Sequence, residues 1–368
     1  VIVADALRDL WRPMIAITGI MATTSCASEL GVFARLAAAV EPRTRGPVRN
    51  AFRLVFVLAA ITAAALSNDA AILLVTPVVL ELLRAVYPKR NPKFLVPFAF
   101  AVFAAAGVAP LPTSNPMNLV VAERAHIGFN AYVAHMLPIA AIGWIVAYAA
   151  LAWCFRDALS DEAPALGAAP AFAPLSRAAR VVLAVAGASL VSYPILAALG
   201  HPVWFVAGPS AAACVAVTVG SGVPLGRISR GISWELLPFL VGVLVLATYL
   251  SRAGATAALA DLYARSPAPL PTVGTVAAVG SAVLNNHPMA LLHSIALAGA
   301  PDRLVYAALV GGDLGPRLLP IGSLAGILWL HALRRAGVRI PLATFVRVGA
   351  IVTIPSLAAS LAMLWLVS

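Results

Sequence analysis

The residues best suited to chemistry in this chain lie inside its most apolar stretches. Four polar runs interrupt them: LSNDAAILL (66–74), PLPTSNPMN (110–118), SAVLNNHPM (281–289) and GGDLGPRLLPIGS (311–323). Together they hold the neutral groups Asn68, Ser114, Asn115, Asn118, Asn285, Asn286 and Ser323 beside the titratable groups Asp69, Asp313 and His287. Amides and hydroxyls both donate and accept, so the neutral set suits a small polar solute. The carboxylates and the imidazole are candidates to carry a coupling proton. Asp313 and Arg317, at i and i+4, are candidates for an ion pair. An aspartate at mid-membrane costs roughly 2.5–3.5 kcal/mol on insertion scales, so it needs a partner or a task. Plainer roles stand beside these. Asn and Ser cap helix ends, Asp69 could start the helix that follows it, and His287 could be a hydrogen-bonded structural histidine. Polar residues at four matched positions argue against capping alone.

Composition sets the frame for those runs. The 368 residues are 62% hydrophobic and 11% charged, which describes an all-α polytopic membrane protein. A net charge of +11 on a soluble protein would suggest nucleic acid. Here most of the Lys and Arg fall in 35–53, 84–93, 156–180 and 334–339. That is the positive-inside bias of cytoplasmic loops, and it implies a bilayer and no nucleic-acid partner. Cys26, Cys154 and Cys214 are far apart, with neither CxxC nor metal-ligand spacing, and nothing calls for a cofactor. The opening VIVADALRDLWRP is unlike a cleavable signal peptide. HExxH, GxSxG and P-loop motifs are missing, and Val310-Gly311-Gly312-Asp313 does not make the Gly-x-Gly-Asp of an aspartyl intramembrane protease. Trp11, Trp234, Trp329 and Trp365 fall near span ends and read as interfacial anchors.

The elements that must position the polar runs follow from apolar length. Spans are expected at about 13–34, 132–155, 181–199, 202–220, 232–250 and 342–366. The arms 54–66 and 70–83 are each too short to cross, and basic residues flank both. They predict a re-entrant hairpin, 54–83, with Ser67-Asn68-Asp69 at its tip. Pro110, Pro112 and Pro116 break the next helix, 94–122, and a break in lipid must be buried in protein or line a cavity. Hairpin 272–300 and broken helix 304–333 repeat the order. Charge bias puts the first hairpin's entry inside and the second's outside. The expectation is two inverted repeats, 1–155 and 181–368, joined by a cytoplasmic linker at 156–180. The second half has two extra spans, so two helices are expected to precede residue 1.

These runs resemble a known family. NDAAILLVTPVV (68–79), LPTSNPMNLVVAE (111–123), LNNHPM (284–289) and above all GDLGPRLLPIGSLAGILWLHAL (312–333) resemble the arsenite efflux permeases, from about residue 5 to the C-terminus. Those belong to the ion-transporter superfamily, with sodium-coupled dicarboxylate carriers and some sodium/proton antiporters. The resemblance implies proton-driven export of arsenite and antimonite across the bacterial inner membrane. It also implies an elevator motion, a soluble arsenite-stimulated ATPase in some cases, and a possible homodimer. By resemblance Asn68-Asp69, Ser114-Asn115, Asn118, Asn285-Asn286 and Gly312-Asp313 line the site. Two positions depart: Ala105 stands where the family usually has an acid, and NNHPM replaces NNMPT. Arsenite near neutral pH is an uncharged trihydroxide, which matches an Asn/Ser-rich pocket without thiolates. An aspartate at a tip would repel a dicarboxylate. A sodium/proton antiporter or a small-anion or dicarboxylate carrier of the same superfamily remains the alternative, and a channel is a more distant one.

Overall fold

The computed structural model describes residues 2–32, 35, 47–68, 71–87, 92–160, 174–232 and 234–368. All regular structure among them is helical. Four helices are long and apolar enough to cross a membrane, Val48–Ala65, Phe129–Cys154, Arg177–Ala198 and Leu342–Val367. The chain is thus an all-helical membrane protein with several apolar spans.

Helix α1 is Ile2–Glu29 and α2 is Val48–Ala65. After the tip, a wide π turn at Ala71–Val75 leads into α3, Thr76–Val86. The helix expected as the first hairpin arm is therefore longer than its apolar run. Nothing between Pro47 and Leu54 breaks a helix, so α2 carries on through Arg49 and Arg53 and reaches 18 residues. Helix α4 (Val96–Ala105) and α5 (Pro116–Arg124) flank a stretch holding one 3-10 turn at Pro112–Ser114. Helix α6 is Phe129–Cys154, and the short α7 is Arg156–Leu159. Most of the predicted linker lies outside the described residues.

The second half opens with α8 (Arg177–Ala198), α9 (Trp204–Gly220), the short α10 (Leu225–Arg230) and α11 (Leu236–Arg252). An eleven-residue helix, α12 (Ala255–Arg265), follows, and no apolar run had marked it. Helices α13 (Pro269–Leu284) and α14 (Asn286–Ala296) meet at Asn285. Helix α15 (Asp302–Leu314) gives way to 3-10 turns at Gly315–Arg317 and Pro320–Gly322 before α16 (Leu324–Arg335). Helix α17, Leu342–Val367, ends the chain.

Packing sorts these helices into two groups. In one, α1 lies along α9 and touches α11, while α8 packs on α9. In the other, α2 packs on α4, α13 on α15, and α6 along α17. Helices α6 and α17 run antiparallel. Phe345 and Phe155 both approach Phe100, while Ser360 donates to Ile139 O. The α13–α15 contact needs small residues, because a Cβ on Gly311 or Gly315 would collide with the backbone oxygens of Gly274 and Ala278. This is the close approach that a Gly-x-x-x-Gly spacing allows in lipid. Phe103 stacks on Trp329 with centroids 4.5 Å apart, and Phe345 closes the cluster. Trp329 is fully buried there, so it is a core residue and not an interfacial anchor, whereas Trp11, Trp234 and Trp365 are exposed.

Candidate functional site

Each helix break strands backbone groups that water cannot reach, and side chains take them up. At the end of α4, Arg317 Nη2 donates to Ala104 O and Trp144 Nε1 to Ala105 O at 2.8 Å. Asn68, from the first tip, donates to Gly107 O at 3.0 Å. Ser114 donates to Ala64 O, 2.8 Å away near the end of α2. Asn115 caps α5 by accepting from Met117 N at 3.1 Å. In the second half Ser323 caps α16, accepting from Gly326 N at 2.9 Å. Asn285 caps α14, accepting from His287 N at 3.2 Å, and donates to Ile321 O at 3.3 Å. In both halves, then, a tip asparagine bonds to a carbonyl of the following break.

The two breaks share a local conformation as well. Leu111 (φ −115°, ψ 147°) and Leu319 (φ −136°, ψ 143°) are extended, and each leads through a proline into a 3-10 turn. The turns end on extended caps, Asn115 (φ −142°, ψ 124°) and Ser323 (φ −149°, ψ 151°). In sequence these are LPTSN and LPIGS.

Asp313, buried at the end of α15, is where the breaks meet. Its Oδ1 accepts from Asn115 Nδ2 at 2.6 Å, and its Oδ2 from Asn118 Nδ2 at 2.8 Å and Ala109 N at 2.9 Å. All three donors belong to the opposite half of the chain. Asn118 also donates to the Tyr132 hydroxyl at 2.8 Å, and that hydroxyl donates to Ala109 O at 3.1 Å. The carboxylate therefore sits in a cage of N–H donors whose geometry Tyr132 fixes.

Arg317, also buried, bonds to Ala104 O and not to Asp313, so the predicted ion pair is not formed by contact. Three N–H groups already occupy the carboxylate, while the guanidinium turns to the stranded end of α4. Gly107 permits this route, since a Cβ there would strike Arg317 Nη2. Arg317 Nε and Nη1 have no hydrogen-bond partner among the described residues.

A cavity of about 10 Å³ lies between α5, α14 and α15, lined by Asn115, Asn118, Asn286, His293 and Asp313 among others. His287 is buried beside it and bonds to its own tip, Nδ1 lying 2.7 Å from Asn286 Oδ1. His293, one turn or more further along α14, contacts Met289 O at 2.8 Å and the Tyr263 hydroxyl at 2.7 Å. A carbonyl only accepts, so Nδ1 donates to it and Tyr263 donates to Nε2.

The structure thus gathers Asn115, Asn118, Asn286 and Asp313 around one point. Asn68 reaches the first break on its Gly107 side, and His287 is held against Asn286 without lining the cavity, whereas His293 does line it. Ser114, Ser323 and Asn285 bond to backbone at helix ends. Asp69 lies outside the described residues. Tyr132, Trp144, His293 and Tyr263 had not been singled out. A mid-span tryptophan or tyrosine whose N–H or O–H needs an acceptor was the available signal for the first two. Among the described residues no cluster of three His, Cys, Asp or Glu could hold a metal ion.

Comparison with known proteins bears on this arrangement. The sequence profile of the arsenical pump membrane protein family matches residues 3–367. The arsenical pump membrane protein of Yersinia enterocolitica is 31% identical over 96% of this chain and 86% of its own length. That of Escherichia coli is 29% identical over the same shares. An uncharacterized transporter of Mycobacterium tuberculosis is 28% identical over 97% of this chain and 86% of its own length. Among solved structures, the Alcanivorax borkumensis YdaH transporter, described as having an unusual topology, superposes with a TM-score of 0.62 at 17% identity. It is matched over 99% of this chain and 86% of its own.

Proposed function

The chain belongs to the arsenical pump membrane protein family, a family of membrane transporters and not of enzymes, and on that premise we propose that it exports arsenite and antimonite from the bacterial cytoplasm in exchange for protons. The observation that carries the coupling is the Asp313 carboxylate, caged by Asn115, Asn118 and Ala109 N from the other half of the chain. An ionised carboxylate accepts a solute hydroxyl, whereas a protonated one offers one acceptor fewer. Solute and proton then disfavour each other at the same point, which is the requirement for exchange. The donor set at Asp313 is made of N–H groups, which suit an anion and not a sodium ion, whose ligands are oxygens.

The gap at the site, about 10 Å³, is at the threshold for one water. A trihydroxide therefore enters only when the Asn286 end of α14 withdraws from α15 and α5. We read residues 1–155 and 181–368 as inverted repeats whose tips close the site in turn from opposite sides of the inner membrane. The matched LPTSN and LPIGS turns support that reading. Asp69 and His287 are further candidates to carry protons. A soluble arsenite-stimulated ATPase and a second copy of the chain are the partners in this scheme.

The test is arsenite uptake into everted vesicles from cells stripped of their own arsenic efflux. Uptake by the unsubstituted protein should follow an imposed pH gradient, and Asp313→Asn should abolish it at equal membrane abundance. Uptake that follows a sodium gradient instead would move the protein to the antiporter side of its superfamily. A pH-driven uptake that survives Asp313→Asn would shift the coupling to Asp69.

A further inference from the structure

A second cavity, independent of the transport site, is a groove of about 880 Å³ between α13, α15 and α17. Its walls are apolar, and Ile354 and Trp365 stand 64% and 71% exposed along it. Along α17 the groove runs from Thr353 to Trp365, about 18 Å at 1.5 Å per residue. One leaflet of hydrocarbon is about 15 Å deep, half of a core of about 30 Å. The groove is therefore as long as one leaflet is thick. It opens at the end of α17 remote from the basic 334–339 loop.

The mouth has a charge to match. Arg303 lines it at the start of α15, exposed and without an ion pair among the described residues; Asp302 beside it is not part of the lining. Trp365, a residue type that settles at headgroup depth, closes the same end. Leu318, next to the second helix break, lies at the deep end together with Thr353.

We propose that this groove is a binding site for an anionic phospholipid of the leaflet opposite the basic loops. The acyl chains lie along α13 and α17, and the phosphate sits at Arg303. A second copy of the chain would have no use for a cation at the mouth of an apolar slot. A lipid uses both parts.

The experiment uses the purified full chain in detergent, titrated with phosphatidylglycerol or phosphatidylcholine carrying the same brominated acyl chains. Tryptophan quenching is the signal, and its loss in Trp365→Phe isolates the share that reports on the groove. Phosphatidylglycerol should quench that share at lower concentration than phosphatidylcholine. Arg303→Gln, a surface change that spares folding, should raise the half-quenching concentration for phosphatidylglycerol about five-fold and leave phosphatidylcholine unchanged. Ala358→Phe, placed on the exposed floor, should abolish both, with the melting transition as the check on folding. Equal quenching by the two lipids, or a preference untouched by Arg303→Gln, would reduce the groove to ordinary annular contact. Displacement of the lipid by inorganic phosphate alone would leave a headgroup site and overturn the groove. If Ala358→Phe abolishes the quenching while light scattering shows an altered oligomer, the groove is a seam between copies and the lipid site is overturned. None of these readouts depends on transport, so they stand or fall apart from the exporter reading.

Discussion

Asp313 and Arg317 are buried within one turn of each other, yet each bonds to a different part of the first half of the chain. The carboxylate takes three N–H donors and the guanidinium takes a carbonyl, so their opposite charges offset each other without touching. Removing one leaves a lone charge in a dry place, which costs about 3–5 kcal/mol for buried pairs of this kind. Arg317→Gln and Asp313→Asn should therefore each lower the melting midpoint of the purified protein sharply. The double substitution should recover much of the loss while export stays absent, because neutrality is restored but the proton acceptor is not. Equal and additive losses in the double variant would show that the two charges do not sense each other. The sequence offered the pair by its spacing, and spacing alone could not say that the partners lie some two hundred residues away. Hydrogen bonds between the two halves are tertiary facts, invisible in either local run.

At the scale of elements, punctuation was the legible part. The prolines at 110, 112, 116, 316 and 320 marked both breaks because a missing N–H cannot be hidden in lipid. Asn285 marked the second tip, where φ 87° with ψ 146° lies outside the left-handed helical region that asparagine tolerates, so the backbone there is strained and held by its neighbours. Apolar length misjudged the first hairpin arm, since arginines at a helix start do not stop a helix. It also passed over α12, whose Asp261 and Arg265 dilute its hydropathy, although they pair at 2.7 Å on its exposed face. Capping was the role least separable from solute binding. Ser114 and Ser323 have the same residue type, but their bonds run to backbone at helix ends. The Gly311-x-x-x-Gly315 spacing was present in the sequence and its use is plain only in the packing. Gly315→Leu drives a side chain against Ala278 O, so α13 and α15 must part. Overpacking of this kind costs roughly 1–3 kcal/mol. The expected outcome is a lower melting midpoint together with lost export, measured against Gly312→Ala, where an added Cβ meets only Ser281 Oγ at 3.9 Å. Equal behaviour of the two variants would remove the helix contact from the account.

For the whole molecule, the two packing groups suggest which parts travel together. Helices α1, α8, α9 and α11 form one group, and α2 to α6 with α13 to α17 form the other, the two meeting where α14 packs on α11 and α5 on α1. Among the described residues the polar bonds between bodies are few and lie at the surface, Arg12 to Glu123 at 3.7 Å and Asn130 to Pro194 O at 3.0 Å, and the rest of the junction is apolar packing, with Ile17 and Ala207 of one body in the same buried cluster as Val120 and Leu291 of the other. An exposed ion pair contributes typically below about 1 kcal/mol and an exposed hydrogen bond about as little, and apolar packing has no fixed direction, so a sliding motion has no strong directional bond to break. Within the second body contacts are close. An added Cβ at Gly143 would lie 3.0 Å from Ser360 Oγ, a separation that a disulfide spans. If solute crosses because one body shifts against the other, two engineered bridges must behave differently. Oxidising Gly143→Cys with Ser360→Cys joins α6 to α17 inside one body, and everted vesicles should keep their arsenite uptake. Bridging Arg12→Cys to Glu123→Cys with a short bifunctional thiol reagent ties α1 to α5 across the bodies, and uptake should stop until a reductant or cleavable linker releases it. Uptake that persists with the second bridge closed would mean that the tips alone open and shut the site, while the helices that carry them stay in place.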